Sequence, residues 1–179
     1  MDIQNYSVTG RYDLDRLGLL DLPPLKAAAI VTETAFDILQ PTAAAFVVFD
    51  EGTGEAVLQA VSRRFKAGTR YAMYASALSD IRENGETISA TDLANDTCGA
   101  PEYAMLGMGS VLAAPVLGPD QYPIGALTVF DQRARIWPQM DHTRLENLAY
   151  LITQEVILRA SFATLELMAV ERSSLRARV

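Results

Sequence analysis

Apolar residues recur along the chain with helical spacing in some stretches and as near-continuous runs in others, and each pattern predicts a different element. From Pro24 onward, Leu25, Ala28, Ala29, Thr32, Phe36 and Leu39 fall on one helical face, with Lys26, Glu33 and Asp37 left for solvent. Pro24 suits a first helical position, where its missing N–H costs nothing, and Pro41 stops the helix. "TAAAFVVFD", "EGTG" and "EAVLQAVSRR" then read as strand, turn and strand, with Gly52 and Gly54 supplying the permissive dihedrals of a hairpin. "RYAMYASALSDIRENGE" returns to helical intervals and ends at Gly85, after which "ETISATD" is a short strand.

Residues 92–109 mix turn formers with Tyr103, Met105, Leu106 and Met108 and form the least regular part of the chain, with a short helix expected around Pro101 to Leu106. Val111 to Leu117 and Ile124 to Phe130 are two apolar runs joined by "GPDQYP", which predicts an antiparallel hairpin of central strands covered on both faces. Pro115 cannot donate to a ladder, so a bulge or an unpaired backbone position is expected beside it. Trp137-Pro138 opens a last helix that runs without Pro or Gly through Leu145, Leu148, Ile152 and Val156 to the C-terminus. Its length, on the order of 60 Å at 1.5 Å per residue, exceeds what a compact domain of this size covers. Something else should therefore pack on its end. Leu158 and Leu165 share one heptad position and Met168 and Leu175 another, and with Phe162 they are the expected dimer interface, although Ser161 and Arg172 interrupt the seam.

The totals narrow the partners. A chain of 179 residues, 50% hydrophobic and 21% charged, is one globular domain with a substantial core. A net charge of -7 argues against nucleic acid and anionic lipid, and the short basic cluster of Arg63, Arg64 and Lys66 reads as a solvated loop. The N-terminus lacks a secretory pattern, and no apolar run approaches the roughly 20 residues that span a bilayer, so the expectation is a cytoplasmic protein with no membrane partner. With Cys98 and His142 as the sole cysteine and histidine, a disulfide, a cysteine-rich cluster and most metal sites are out of reach, and neither metal nor cofactor is expected. Asp50, Glu51 and Glu55 gather at the first hairpin turn without the spacing of a calcium loop. Asp141 and His142 read as an acidic first-turn residue and a solvent-facing histidine.

The order helix, hairpin, helix, short strand, irregular segment, hairpin, long helix resembles a GAF domain, a sensory module of bacterial signalling proteins. Leu17 to Asp50 is similar to the pattern Leu-Gly-Leu-Leu-Asp-x-Pro-Pro, helix, apolar strand, Asp. Ala114-Pro115-Val116, Ile124-Gly125 and Phe130-Asp131 resemble the pattern of the later hairpin. The resemblance covers about residues 14 to 158, which leaves an N-terminal segment of 1–13 and a helical extension of 159–179. It implies an α+β fold, with a central antiparallel sheet of five to six strands, helices on its faces and a long C-terminal helix. It also implies a pocket between sheet and irregular segment, dimerisation through terminal helices, and an output domain or protein.

Departures from the family pattern are informative. Tyr74-Ala75-Ser76-Ala77-Leu78 stands where many relatives read Cys-Ala-His-Ala-Ile, and Cys98 is followed by Gly99 where bilin-binding relatives have Cys-His. Haem lacks an axial ligand near the pocket segment, and one thiol cannot complete the cycle of relatives that reduce free methionine sulfoxide. The pattern typical of cyclic-GMP-binding relatives is not found. The candidates to touch a ligand are Tyr71, Met73, Tyr74, Tyr103, Met105 and Met108, with Arg70 as the nearby cation, and their other reading is plain core. The expected function is a non-catalytic sensory domain that binds a small molecule non-covalently; the alternative is a ligand-free dimerisation module of the same fold.

Overall fold

A computed structural model describes residues 14, 17–20, 23–63, 65–72, 77–93, 95 and 107–176. In chain order the elements are α1 (Lys26–Leu39), β1 (Ala43–Asp50), β2 (Glu55–Ser62), β3 (Arg70–Ala72), α2 (Ala77–Asn84), β4 (Ile88–Ala90), β5 (Ser110–Leu117), β6 (Pro123–Asp131) and α3 (Gln139–Arg176). The strands form one six-stranded sheet in the order β3-β2-β1-β6-β5-β4, with every neighbouring pair antiparallel. The fold is α+β, with the sheet at the upper end of the expected five to six strands.

β1 sits at the centre because seven of its eight residues are apolar, and all eight are buried. Alternation then sends Ala44, Phe46 and Val48 to one face and Ala45, Val47 and Phe49 to the other. The first face is covered by α1 and α3, and its cluster takes in Leu112, Leu127 and Val129 of the sheet with Val31, Leu39, Leu145 and Ile152 of the helices. Leu17 and Leu19, from the patch before the proline pair, join this cluster. The second face carries Leu78 and Ile81 of α2 with Val111, Met108 and Phe130.

Two sequence expectations acquire a physical reason here. Gly125 pairs with Val48, and a Cβ at this position would run into the carbonyl oxygen of Val47, so the close approach of β6 to β1 admits only glycine. The same stretch of β1 carries a register shift between Phe46 and Val47, where Gln59 of β2 is the extra residue. Pro115 pairs with Ala126 of β6, but β4 reaches β5 only from Val111 to Ala113, so the missing N–H lies beyond the end of that ladder. A register shift follows between Val116 and Leu117, close to where Pro115 predicts one.

Other expectations need correcting. Val31 and Ala35 are buried on α1, whereas Ala29 and Phe36 are only half-buried, because α1 packs against α3 as well as β1 and β2. Its first residue is Lys26, with Leu25 at the cap, so Pro24 precedes the helix. The stretch beginning at Arg70 opens as strand β3 paired with β2, and the described helix α2 spans Ala77–Asn84; its end at Gly85 is as expected, with φ of 68° and an N–H bonded to the Ile81 carbonyl at 2.8 Å. The irregular segment's expected helix lies outside the described residues. Gln139–Val170 contains a window with mean hydropathy of 1.2, long and apolar enough by composition to cross a membrane. Its buried residues Leu145, Ile152 and Val156 are, however, engaged with the sheet.

Candidate functional site

β3 is an edge strand that carries two of the candidate ligand residues, Arg70 and Tyr71, and its alternation separates them. Arg70 and Ala72 are exposed while Tyr71 is half-buried and packs against the second-face cluster. Met108 belongs to the same cluster and is 3% exposed, so Tyr71 and Met108 share one apolar environment. Met73, Tyr74, Tyr103 and Met105 lie outside the described residues, as does Cys98.

Arg70 reaches instead to the β1–β2 turn, where its Nη1 donates to Asp50 Oδ2 at 2.9 Å and to Glu55 Oε2 at 3.2 Å. Asp50 Oδ1 accepts the backbone N–H groups of Gly52 at 3.1 Å and Thr53 at 3.3 Å, which ties the turn back on itself. Burial by itself pushes the Asp50 carboxyl up, but the hydrogen bond from Arg70, those from Thr53 and the Arg70 charge outweigh it and leave its pKa below the ordinary value. The hydrogen bonds to Asp50 and then Glu55 hold Arg70 more firmly protonated. An acidic ligand group would therefore compete with two carboxylates for this cation. Among the described residues, no three His, Cys, Asp or Glu side chains converge as a metal site would require.

The expected interface residues are all on the outward part of α3. Leu158, Phe162, Leu165 and Met168 are 52%, 57%, 60% and 53% exposed, and Leu175 falls in the same helix with its side chain outside the description. The last core contacts come from Val156 and, partly, Ala160. The continuous helix beyond them carries Leu167 and Val170 as further exposed apolar residues.

Two features were missed in the sequence. Arg135 bonds the Leu39 carbonyl at 2.9 Å and the Gln40 carbonyl at 3.3 Å, pairs with Asp131 at 3.2 Å and Asp141 at 3.5 Å, and stacks over Trp137 at 4.2 Å. It joins the end of α1 to the start of α3, and no local motif marks it because its partners come from three parts of the chain. The second is a groove of about 540 Å³ beside β5, to which α3 contributes His142, Glu146 and Tyr150. His142 is half-buried there, where the sequence suggested a solvent-facing residue. The spacing of these three residues, one helical turn apart, was the available signal.

Six antiparallel strands in this order, with α1 and α3 on one face and α2 on the other, define an α+β fold built on one antiparallel sheet. No protein-family model matches the chain, and no curated protein does. Solved structures do. A GAF domain from a phosphoenolpyruvate-protein phosphotransferase of Coxiella burnetii is 19% identical, with a TM-score of 0.64 over 80% of this chain and 91% of that one. The GAF domain of PixJ from Thermosynechococcus elongatus, in its blue-light absorbing form, is 14% identical with a TM-score of 0.58 over 92% and 95%. Free methionine-R-sulfoxide reductase from Neisseria meningitidis is 17% identical with a TM-score of 0.62 over 72% and 75%. The fold is the GAF fold. Proteins of signalling and an enzyme share it, so the fold alone does not decide between binding and catalysis.

Proposed function

We propose that the chain is a sensory domain that binds a small molecule non-covalently, dimerises through its terminal helices and passes a change in their packing to an output domain or partner protein. The observation that carries this reading is the continuity of α3. One unbroken helix is anchored in the core through Leu145, Ile152 and Val156 and extends into an exposed apolar stretch containing Phe162, Leu165 and Met168. Such an element can carry a displacement of the sheet to a second subunit, and a ligand shifts that packing by binding one arrangement better than the other. The ligand is assigned to the second face of the sheet, near Tyr71 and Met108, with the remaining candidates Met73, Tyr74, Tyr103 and Met105; Arg70 is available only to a group that displaces Asp50 or Glu55. We assign no catalytic step, since His142 lines the β5 groove, to which neither Tyr71 nor Met108 contributes.

Native mass spectrometry of the purified chain, compared with its denatured mass, tests this. A dimer with a reproducible extra mass lost on denaturation is the expected result. The burial of Met108 favours a second reading, a dimerisation module whose second face is filled by its own side chains. A dimer without extra mass, and without stabilisation by any metabolite titrated, supports that module; a monomer overturns both.

A further inference from the structure

The β5 edge holds a cavity that the sensory reading leaves unused. β4 pairs with β5 at Ile88, Ser89 and Ala90 only. Continuing that antiparallel register would set Glu86 opposite Pro115, which has no N–H to offer, and the ladder stops short of it. Residues 85–87 and the end of β5 become two walls of a groove of about 540 Å³, and one face of α3 forms the third. That volume is within the range of small-molecule sites, roughly 300–1,000 Å³. A further strand cannot simply continue the sheet here, because the Leu117 N–H already donates to Thr153 Oγ1 of α3 at 3.0 Å.

The chemistry of the walls is one-sided. Glu86 from the α2–β4 connection and Glu146 from α3 both line the groove, and no lysine or arginine is among the described residues that do. Among the described residues neither carboxylate is engaged in an ion pair, unlike Asp50, Asp131, Asp141 and Glu155 elsewhere. The same groove is lined by the apolar residues Pro115, Leu117 and Ile157 and by Tyr150. We propose that this groove binds a small organic cation, an ammonium group recognised by Glu86 and Glu146 and an apolar body resting on Pro115, Leu117 and Tyr150. An aromatic ring beside two carboxylates suits such a ligand, since its face also attracts cations. The site is separate from the one proposed for the sensed molecule, near Tyr71 and Met108.

Three probes of one shape test the assignment: phenethylamine, 2-phenylethanol and phenylacetate, titrated into the full chain labelled with nitrogen-15. Saturable shifts of the Glu86, Leu117 and Tyr150 amides are expected with the amine, at an affinity about tenfold above the alcohol's, and no saturation with the carboxylate. The double variant Glu86→Gln, Glu146→Gln should bring the amine down to the alcohol's affinity with an unchanged Tm, both side chains belonging to exposed residues. Equal affinities of amine and alcohol for the unaltered protein, retention of the amine preference in the double variant, or the absence of shifts at these amides overturns the proposal. Shifts confined to Tyr71 and Met108 would overturn it too, and would instead support the site proposed for the sensed molecule.

Discussion

The two halves of α3 have the same backbone and opposite surroundings. From Leu145 to Val156 the helix buries Leu145, Leu148, Ala149, Ile152 and Val156 against the sheet and α1, whereas from Ser161 to Val170 every residue but the half-buried Ala163 is exposed. Their apolar content does not separate them, since Phe162, Leu165, Leu167, Met168 and Val170 are as hydrophobic as the residues buried upstream. What differs is whether a sheet lies beneath. Helical periodicity alone therefore reports that a face wants cover, and only the fold decides whether the same chain supplies it.

This contrast can be broken in graded steps. The largest effect belongs to Ile152→Ala, fully buried, which should lower unfolding free energy by about 3 kcal/mol in denaturant titrations at any protein concentration. Arg135→Ala comes next, at about 2 kcal/mol by the same measurement, because it leaves the buried Asp141 with only the long 3.6 Å contact to Arg144 and removes the bonds to the last carbonyls of α1. If Arg135→Ala cost no more than a surface substitution, the anchoring of the buried half would rest on its apolar contacts alone.

Asp50→Asn provides a control away from α3. The Asp50 pKa is lowered from an ordinary value of 3.8, so its contribution is present above that pH and is lost as the pH falls through the lower folded value. Its effect should be about 1 kcal/mol near neutrality, reduced by the solvent exposure of Arg70, and should vanish in acid. An undiminished difference between the two proteins in strong acid would contradict the ion pair. Smallest of all is Leu165→Ala, expected to change the stability of dilute protein by less than about 0.5 kcal/mol. Leu165→Glu should nonetheless shift a dimer towards monomer in sedimentation at high concentration; an unshifted equilibrium would separate the exposed half from subunit contact.

The elements that were legible in the sequence are those whose pattern is complete within a dozen residues. β5 and β6 announce themselves as central strands through near-continuous apolar runs, and Ile124-Gly125 is readable as a motif before the Val47 carbonyl explains it. β3 was not legible, because three residues are too few to show alternation and Tyr71 also fits a helical register with its successors. The site was less readable still. Arg70 is a plain exposed cation in sequence, and its commitment to Asp50 and Glu55 follows from the β2–β3 register, where Glu55 faces Ala72. Likewise His142, Glu146 and Tyr150 acquire a shared groove only because Pro115 and the early end of β4 leave one.

The Arg135 contacts have a mechanical meaning as well. Because one guanidinium holds the last carbonyls of α1 and the first turn of α3, the short helix and the long one share a fulcrum. Beyond Ala160, the last residue packed on the core, the free arm to Arg176 is about 24 Å long, so a tilt of about 10° transmitted through the anchored part swings Arg176 through about 4 Å.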